Sequence, residues 1–219
     1  MNLYDEISSE TNLWSAWQTV RRKNARGGID GVAPEDMDAH IRTAIHDLSG
    51  KLKAGAYTPT PLQRINVPKF NEANEWRSLS LPVVTDKVVQ QAVVNLLTPV
   101  FEKEFLDCSY AYRPRKGPVR AIKCVEHILN KKLRWAVCCD IDNCFDSFNH
   151  EKLLKAVAEK IPDDRMIQLI GQWLQVGCIT QKGDFIDPTD GISQGGLCKA
   201  SHNPPYAKYN IMQSKHYNA

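Results

Sequence analysis

Carboxylates crowd into one short stretch of the chain, where Asp140, Asp142 and Asp146 stand within WAVCCDIDNCFDSFNH, residues 135–150. The run before them, Trp135 to Cys139, is apolar and free of Gly and Pro, which at this length reads as a buried strand. Asp140 then falls at a strand end, with Phe145 and Phe148 close by in sequence. Carboxylates carried into apolar surroundings are costly unless a cation meets them. An oxygen-only donor set, with no adjacent His and no Cys in thiolate-pair spacing, suits a hard ion such as Mg²⁺. A calcium loop is excluded: Asp140, Asp142 and Glu151 occupy the right positions, but Phe145 and Cys144 stand where the loop needs a glycine and a further ligand. An ordinary strand-end turn, its acids solvated or capping a helix near Asn149, fits the spacing equally well.

Other elements must hold that strand end in place. From Pro34 the apolar residues Met37, Ile41, Ile45, Leu48 and Leu52 recur at helical steps, with Glu35 and Asp36 in the first turn and Gly55 as the stop. Pro59 and Pro61 keep the next segment extended; Arg64 to Val67 and Arg77 to Leu81 read as two strands joined by the turn NEANE. Thr85 is placed to cap a helix burying Val88, Val89, Ala92, Val93, Leu96 and Leu97, interrupted by Pro99, with Gln90 and Gln91 as structural amides. After the carboxylates, one helix starts at Asn149 and buries Leu153, Val157 and Ile161; Asp163 opens another with Ile167, Ile170, Trp173 and Leu174 inward, stopped by Gly177. A hairpin with a Lys182-Gly183 turn follows. His150 has no partner pattern and is assigned no chemistry.

The 219 residues suffice for one large or two small domains, and a hydrophobic share of 42% is that of a globular chain. Net charge is only +3, but two basic clusters stand out. Arg21, Arg22, Lys23 and Arg26 lie beside a flexible Gly27-Gly28 turn, and between Asp107 and Arg134 eight Lys or Arg face two acids. Tyr110 and Tyr112 are interleaved with the second cluster, a composition able to stack on bases of a single strand while its cations track the phosphates; packed tyrosines beside a solvated basic helix fit it as well. Seven cysteines, odd in number and without C-x-x-C spacing, argue against a disulfide framework or a zinc site. With no eighteen-residue apolar run and no signal-peptide pattern in MNLYDEISSE, a cytoplasmic chain without a membrane partner is expected.

The segment DIDNCFDSFNHEKLL resembles the first catalytic motif of reverse transcriptases, in the branch of group II intron-encoded proteins and bacterial retroelements. Three more stretches are similar in family order. Residues 57–92 follow Y-x-P, I/V-P-K, R-x-L-x-I/L-P and D-x-V-V-Q-Q-A; SYAYRP stands for S-Y-G-F-R-P, with Ala111 and Tyr112 in place of Gly and Phe; GISQGG stands for G-x-P-Q-G-G, with Ser193 in place of Pro. The GGIDG of residues 27–31 is similar to the turn preceding the family's first finger helix. The resemblance implies that Asp140 and the carbonyl of Ile141 hold Mg²⁺, with Mn²⁺ as an alternative, for in-line phosphoryl transfer. It implies that Lys69 and Arg77 clamp the triphosphate of the incoming nucleotide, that Phe145 lies under its sugar, and that Gln194 packs beside it. It also implies contacts to nucleic acid from Arg21, Arg22, Lys23, Arg26, Tyr112, Arg113, Arg115 and Lys116.

The implied fold is α+β, the fingers and incomplete palm of a right-hand polymerase, with helices packed on a small antiparallel sheet. Residues 1–33 read as a basic extension, 34–134 as fingers, 135–196 as partial palm and 197–219 as a divergent tail expected to lack fixed structure. After Gly196 the family continues into an S-P helix and a Y-x-D-D hairpin, whereas residues 197–219 contain no Asp or Glu and carry a Pro204-Pro205 pair. The expectation is therefore an RNA-directed DNA polymerase cut before its second pair of carboxylates, by a frame change or an early stop. Its partners would be an RNA template, a DNA or RNA primer and deoxynucleoside triphosphates. The alternative is a non-catalytic RNA-binding fragment, or one half of a split enzyme completed by a second polypeptide.

Overall fold

The computed structural model describes residues 2–68, 74–131, 135, 137–139, 145, 147–188 and 191–192. Its first helices are short and firmly capped. Asn2 and Ser9 accept from the backbone N–H groups of Tyr4 and Asn12 and so start α1 (Leu3–Ile7) and α2 (Glu10–Lys23). α2 closes on Arg21, Arg22 and Lys23, with Asn24 left-handed at φ 44°. α3 covers Ile41–Lys53, later than the periodicity from Pro34 suggests. Residues 34–40 instead form successive tight turns, because the Asp36 carboxylate accepts from the Ala33 N–H, and such local bonds compete with helix. Gly55, at φ +66°, ends α3 as expected.

Strands β1 (Leu62–Pro68) and β2 (Trp76–Leu81) pair antiparallel, with Gln63 opposite Leu81 and Val67 opposite Arg77. The longest helix, α4 (Val84–Phe101), follows at once. Its cap is Val83 rather than Thr85, without a side-chain bond, and Pro99 sits inside the final turns without ending it. Among the described residues α5 (Pro118–Leu129), α6 (His150–Ala158) and α7 (Asp164–Gln175) follow. Asn149 and Asp163 are true caps, accepting from Lys152 N–H and Met166 N–H. The expected hairpin at Lys182-Gly183 appears as β3 (Cys178–Ile179) and β4 (Phe185–Ile186). The sheet runs β2-β1-β3-β4 and is mixed, since β3 joins β1 in parallel, with Leu62 opposite Cys178.

One core holds these pieces together. Leu13, Trp17 and Val20 of α2, Ile45 and Leu52 of α3, Val88, Val89 and Val93 of α4, Leu153 and Val157 of α6, and Ile170 and Trp173 of α7 are all buried in it. α4 is its axis. Gln90 and Gln91 are buried on that axis, and Gln91 accepts from Lys23 Nζ at 3.2 Å while donating to Asn95. Those amides are structural, as their place on an apolar helix suggests.

The run from Trp135 to Cys139 is a correction. Its described residues form no strand, Trp135 is 95% exposed and Val137 89%. An apolar run becomes a strand only where another strand accepts its backbone hydrogen bonds, and β1 to β4 lie elsewhere in the chain. Residues 193–219, including the tail, lie outside the described residues.

Candidate functional site

The β1–β2 hairpin carries Arg77, one of the candidate site residues. Opposed residues share a face, so Arg77 stands with Val67, Ile65 and Leu79, while Arg64, Asn66, Ser78 and Ser80 line the other side. On that second side Arg64 donates to Ser78 Oγ at 3.2 Å and Ser78 donates to Asn66 at 2.9 Å. Arg77 is exposed on its strand. Lys69, two residues past Val67, lies outside the described residues, as do Asp140, Ile141 and Gln194.

Around the carboxylate stretch the described residues show what frames it. Ile192 N–H donates to the Phe145 carbonyl at 2.7 Å and Gly191 N–H to the Phe148 carbonyl at 2.8 Å. Phe145 and Phe148 meet edge to face, with centroids 6.4 Å apart. His150, given no role from sequence, donates from Nε2 to the Gly191 carbonyl at 2.6 Å. The turn after the predicted catalytic Asp is thus tied to the segment that leads into Ser193 and Gln194. Two stretches about forty residues apart in sequence, DIDNCFDSFNH and GISQGG, meet at these bonds.

The N-terminal basic cluster divides. Arg21 forks onto Asp38, with Nε 2.9 Å from Oδ1 and Nη2 2.9 Å from Oδ2. Lys23 reaches Gln91, and partial burial, with Arg22 beside it, pushes its pKa down. Arg22 and Arg26 are the exposed arginines of the cluster. The Gly27-Gly28 segment is buried against neighbouring backbone. A Cβ at Gly27 would lie 1.9 Å from the Val32 carbonyl oxygen and one at Gly28 2.6 Å from Val83 N. Lys87 holds the loop from below: its buried Nζ donates to the carbonyls of Ala25 and Arg26, and burial lowers its pKa.

The second basic cluster divides too. Arg113 does not face outward; its side chain is 5% exposed. The guanidinium donates to Glu102 at 2.7 Å and to the carbonyls of Leu106 and Ser109 at 2.7 and 2.9 Å, and lies 4.6 Å from the Phe105 ring centroid. It is the staple of the loop between α4 and α5. Lys116 donates to the Asp107 carbonyl at 2.7 Å and lies over Tyr110. Tyr112 and Arg115 adopt left-handed backbone, at φ 57° and 58°, and are exposed, as are Arg120, Lys123 and Lys131.

Sequence reasoning missed Asp86. This buried carboxylate accepts from Tyr57 Oη at 2.7 Å and Thr60 N–H at 2.8 Å, and Trp173 donates to Tyr57 Oη at 3.2 Å. Burial raises its pKa, with the two bonds opposing. The signal was an acid at the start of an otherwise apolar helix. Asp86 locks α4 to the strand entry and α7, so it positions the hairpin rather than touching a ligand.

A family model described as reverse transcriptase (RNA-dependent DNA polymerase) matches residues 67–200. The chain belongs to the reverse transcriptase family. It is 32% identical over 174 residues to protein YkfC of Escherichia coli strain K12, covering 78% of this chain and 45% of that protein. To the group II intron-encoded protein LtrA of Lactococcus lactis it is 31% identical over 195 residues, covering 89% of this chain and 32% of LtrA. This reverse transcriptase therefore spans less than half the length of those relatives. A solved partial Cas6-RT-Cas1–Cas2 complex superposes with a TM-score of 0.62 at 19% identity, covering 99% of this chain and 36% of that one, and shares the fold. Among the described residues no group of three or more His, Cys, Asp or Glu is placed to hold a metal, and no helix is long and apolar enough to cross a membrane.

Proposed function

We propose that this chain binds template, primer and incoming nucleotide for a group II intron-type RNA-directed DNA polymerase. The observation that carries the reading is the pair of backbone bonds from Gly191 and Ile192 to Phe148 and Phe145, which join two family motifs into one wall. Phe145 on that wall would support the sugar of the incoming deoxynucleoside triphosphate, with Gln194 beside it. Lys69 and Arg77 would hold the triphosphate, one as a point charge and one as a fork. Arg22, Arg26, Tyr112 and Arg115 would meet the template and primer; Arg21, Lys23, Arg113 and Lys116 are committed to holding the loops that present them.

A carboxylate and a backbone carbonyl are the donors that a hard divalent cation takes, so Asp140 and Ile141 fit Mg²⁺, or Mn²⁺, in kind. Such ions, when bound, activate the primer 3′-oxygen and stabilise the leaving oxygen. This chain's part is to orient the nucleotide against the primer end. Primer extension on an RNA template, run beside an Asp140→Ala control, tests the reading. Extension that the control loses upholds polymerase chemistry. Absence of extension with salt-sensitive RNA binding leaves the second reading, that of a binding fragment or one half of a split enzyme.

A further inference from the structure

α4 is apolar along most of its length, yet one line of it is polar. Lys87, Gln91 and Asn95 follow at steps of four and so share a face. That face meets α2. Gln91 accepts from Lys23 Nζ at 3.2 Å and donates to Asn95 at 2.9 Å, and Asn95 donates to Asn12 Oδ1 at 3.3 Å. Apolar packing has no direction, whereas each of these bonds sets a register between the two helices. The rung contributed by Lys87 lies past the end of α2, under the loop that carries Arg26.

Lys87 is 4% exposed and gives its ammonium to the carbonyls of Ala25, at 3.4 Å, and of Arg26. Among the described residues no ion pair joins it to a carboxylate; Asp30 favours its charge, but burial outweighs that attraction. A buried cation met by carbonyls alone is a poor source of stability, because a methionine of similar length would fill the same space without the cost of drying a charge. What the ammonium supplies is position. Two consecutive carbonyls drawn to one point leave the peptide between them little freedom, so the Arg26 side chain departs from a fixed backbone. The same loop lies against the end of β2: a Cβ on Gly28 would stand 2.6 Å from Val83 N and 2.9 Å from the Leu81 carbonyl oxygen. β2 carries Arg77, so the loop of Arg26 and the strand of Arg77 are held to the same stretch of chain.

We infer that Lys87 is a positioning residue for nucleic acid: its buried ammonium fixes the loop at Ala25 and Arg26 so that Arg22 and Arg26 meet the template at a set place relative to the hairpin bearing Arg77. The inference rests on the reading that those two arginines bind template, and adds the group that aims them.

The test uses the full chain and a single-stranded oligouridylate, with affinity followed against salt. Arg22→Ala combined with Arg26→Ala should flatten the slope of log affinity against log salt by roughly 1.4, the loss of two phosphate contacts. Lys87→Met, although the side chain it replaces is buried, should flatten the slope by roughly 0.7 or more, with a urea midpoint no lower than the parent's. Added to the double arginine variant, Lys87→Met should change neither slope nor affinity, since nothing is left to aim. An unchanged slope in Lys87→Met beside a flatter one in the double variant overturns the inference, and so does a loss of equal size in both backgrounds, which is general damage. An unchanged slope in the double variant instead defeats the template reading of the loop itself. Trypsin supplies an arm that needs no variant to fold: in the parent, the bond between Arg26 and Gly27 should survive long after the bond following Arg115 is cut, and equal rates at the two overturn the held loop.

Discussion

Replacing Arg113 by Ala, beside Arg115→Ala, separates a charge that builds the surface from a charge proposed to bind nucleic acid on it. The sequence places Arg113 in a basic, tyrosine-bearing stretch, where a phosphate contact is the natural reading. The structure places its guanidinium 5% exposed between Glu102, two backbone carbonyls and the Phe105 ring. Truncation leaves the Leu106 and Ser109 carbonyls to other partners and strips Glu102 of its counter-ion. Breaking a buried pair by removing one member costs about 3–5 kcal/mol; because Glu102 keeps roughly a third of its side chain in water, the expected loss is about 2–4 kcal/mol. The assay is urea unfolding, paired with the salt dependence of binding to a single-stranded RNA. The midpoint should fall markedly. The slope of log affinity against log salt, measured where the variant is folded, should not change. Arg115→Ala should do the reverse, with stability within about 0.5 kcal/mol and the slope shallower by roughly 0.7 for one lost phosphate contact. An Arg113→Ala protein of unchanged midpoint and shallower slope would refute the assignment of Arg113 as a staple.

Three further outcomes follow from the same fold. Gly28→Ala puts a Cβ against the backbone of Pro82 and Val83, which cannot yield as a side-chain tip can; thermal unfolding should drop by several degrees, and an unchanged midpoint would show that the turn is looser than drawn. Asp140→Ala should abolish any primer extension while leaving RNA affinity within about twofold, because a single metal-directed carboxylate contributes chemistry and not phosphate contacts. Arg22→Ala combined with Arg26→Ala should weaken RNA binding at low salt with little effect on the unfolding midpoint, in contrast to Arg21→Ala, which loses the Asp38 fork and no phosphate contact.

Most of the scaffold was legible because it is written in period and cap. Ile41 to Leu52, Val88 to Leu97 and Leu153 to Val157 carry helical spacing that the structure keeps, whereas Met37 and Ile161 continue that spacing outside the helices, and Asn149, Asp163 and Gly55 mark boundaries by local chemistry that needs no tertiary partner. What failed depended on distant neighbours. Trp135 to Cys139 has strand composition, but a strand exists only with another strand to bond. Arg113 and Arg115 are two residues apart and chemically alike, and only the fold sends one inward to Glu102 and the other to solvent. His150 looked inert because its partner, the Gly191 carbonyl, lies forty-one positions away.

Asp86 supplies the pH test of how the hairpin is held. Burial raises the pKa of its carboxyl above the value in the unfolded chain, so over the interval between the two the native state keeps a proton that the unfolded state has lost. Stability contributed by Asp86 is then fully present below the unfolded value, near pH 4 for an ordinary carboxylate, and is lost as pH rises through the folded one. Asp86→Asn removes the titration. It also leaves one acceptor oxygen where the carboxylate offers two, so that Tyr57 O–H and Thr60 N–H compete for it, and a buried donor deprived of its acceptor costs about 1–3 kcal/mol. The variant should therefore unfold at lower urea than the parent at acidic pH, with the gap narrowing toward neutrality as the parent meets the cost of its own buried charge. Urea midpoints collected from about pH 4 to 7.5 decide the matter. Parallel curves would mean that the carboxylate does not titrate in the fold, and that Tyr57, Thr60 and Trp173 hold the entry to β1 against α4 without any help from its charge.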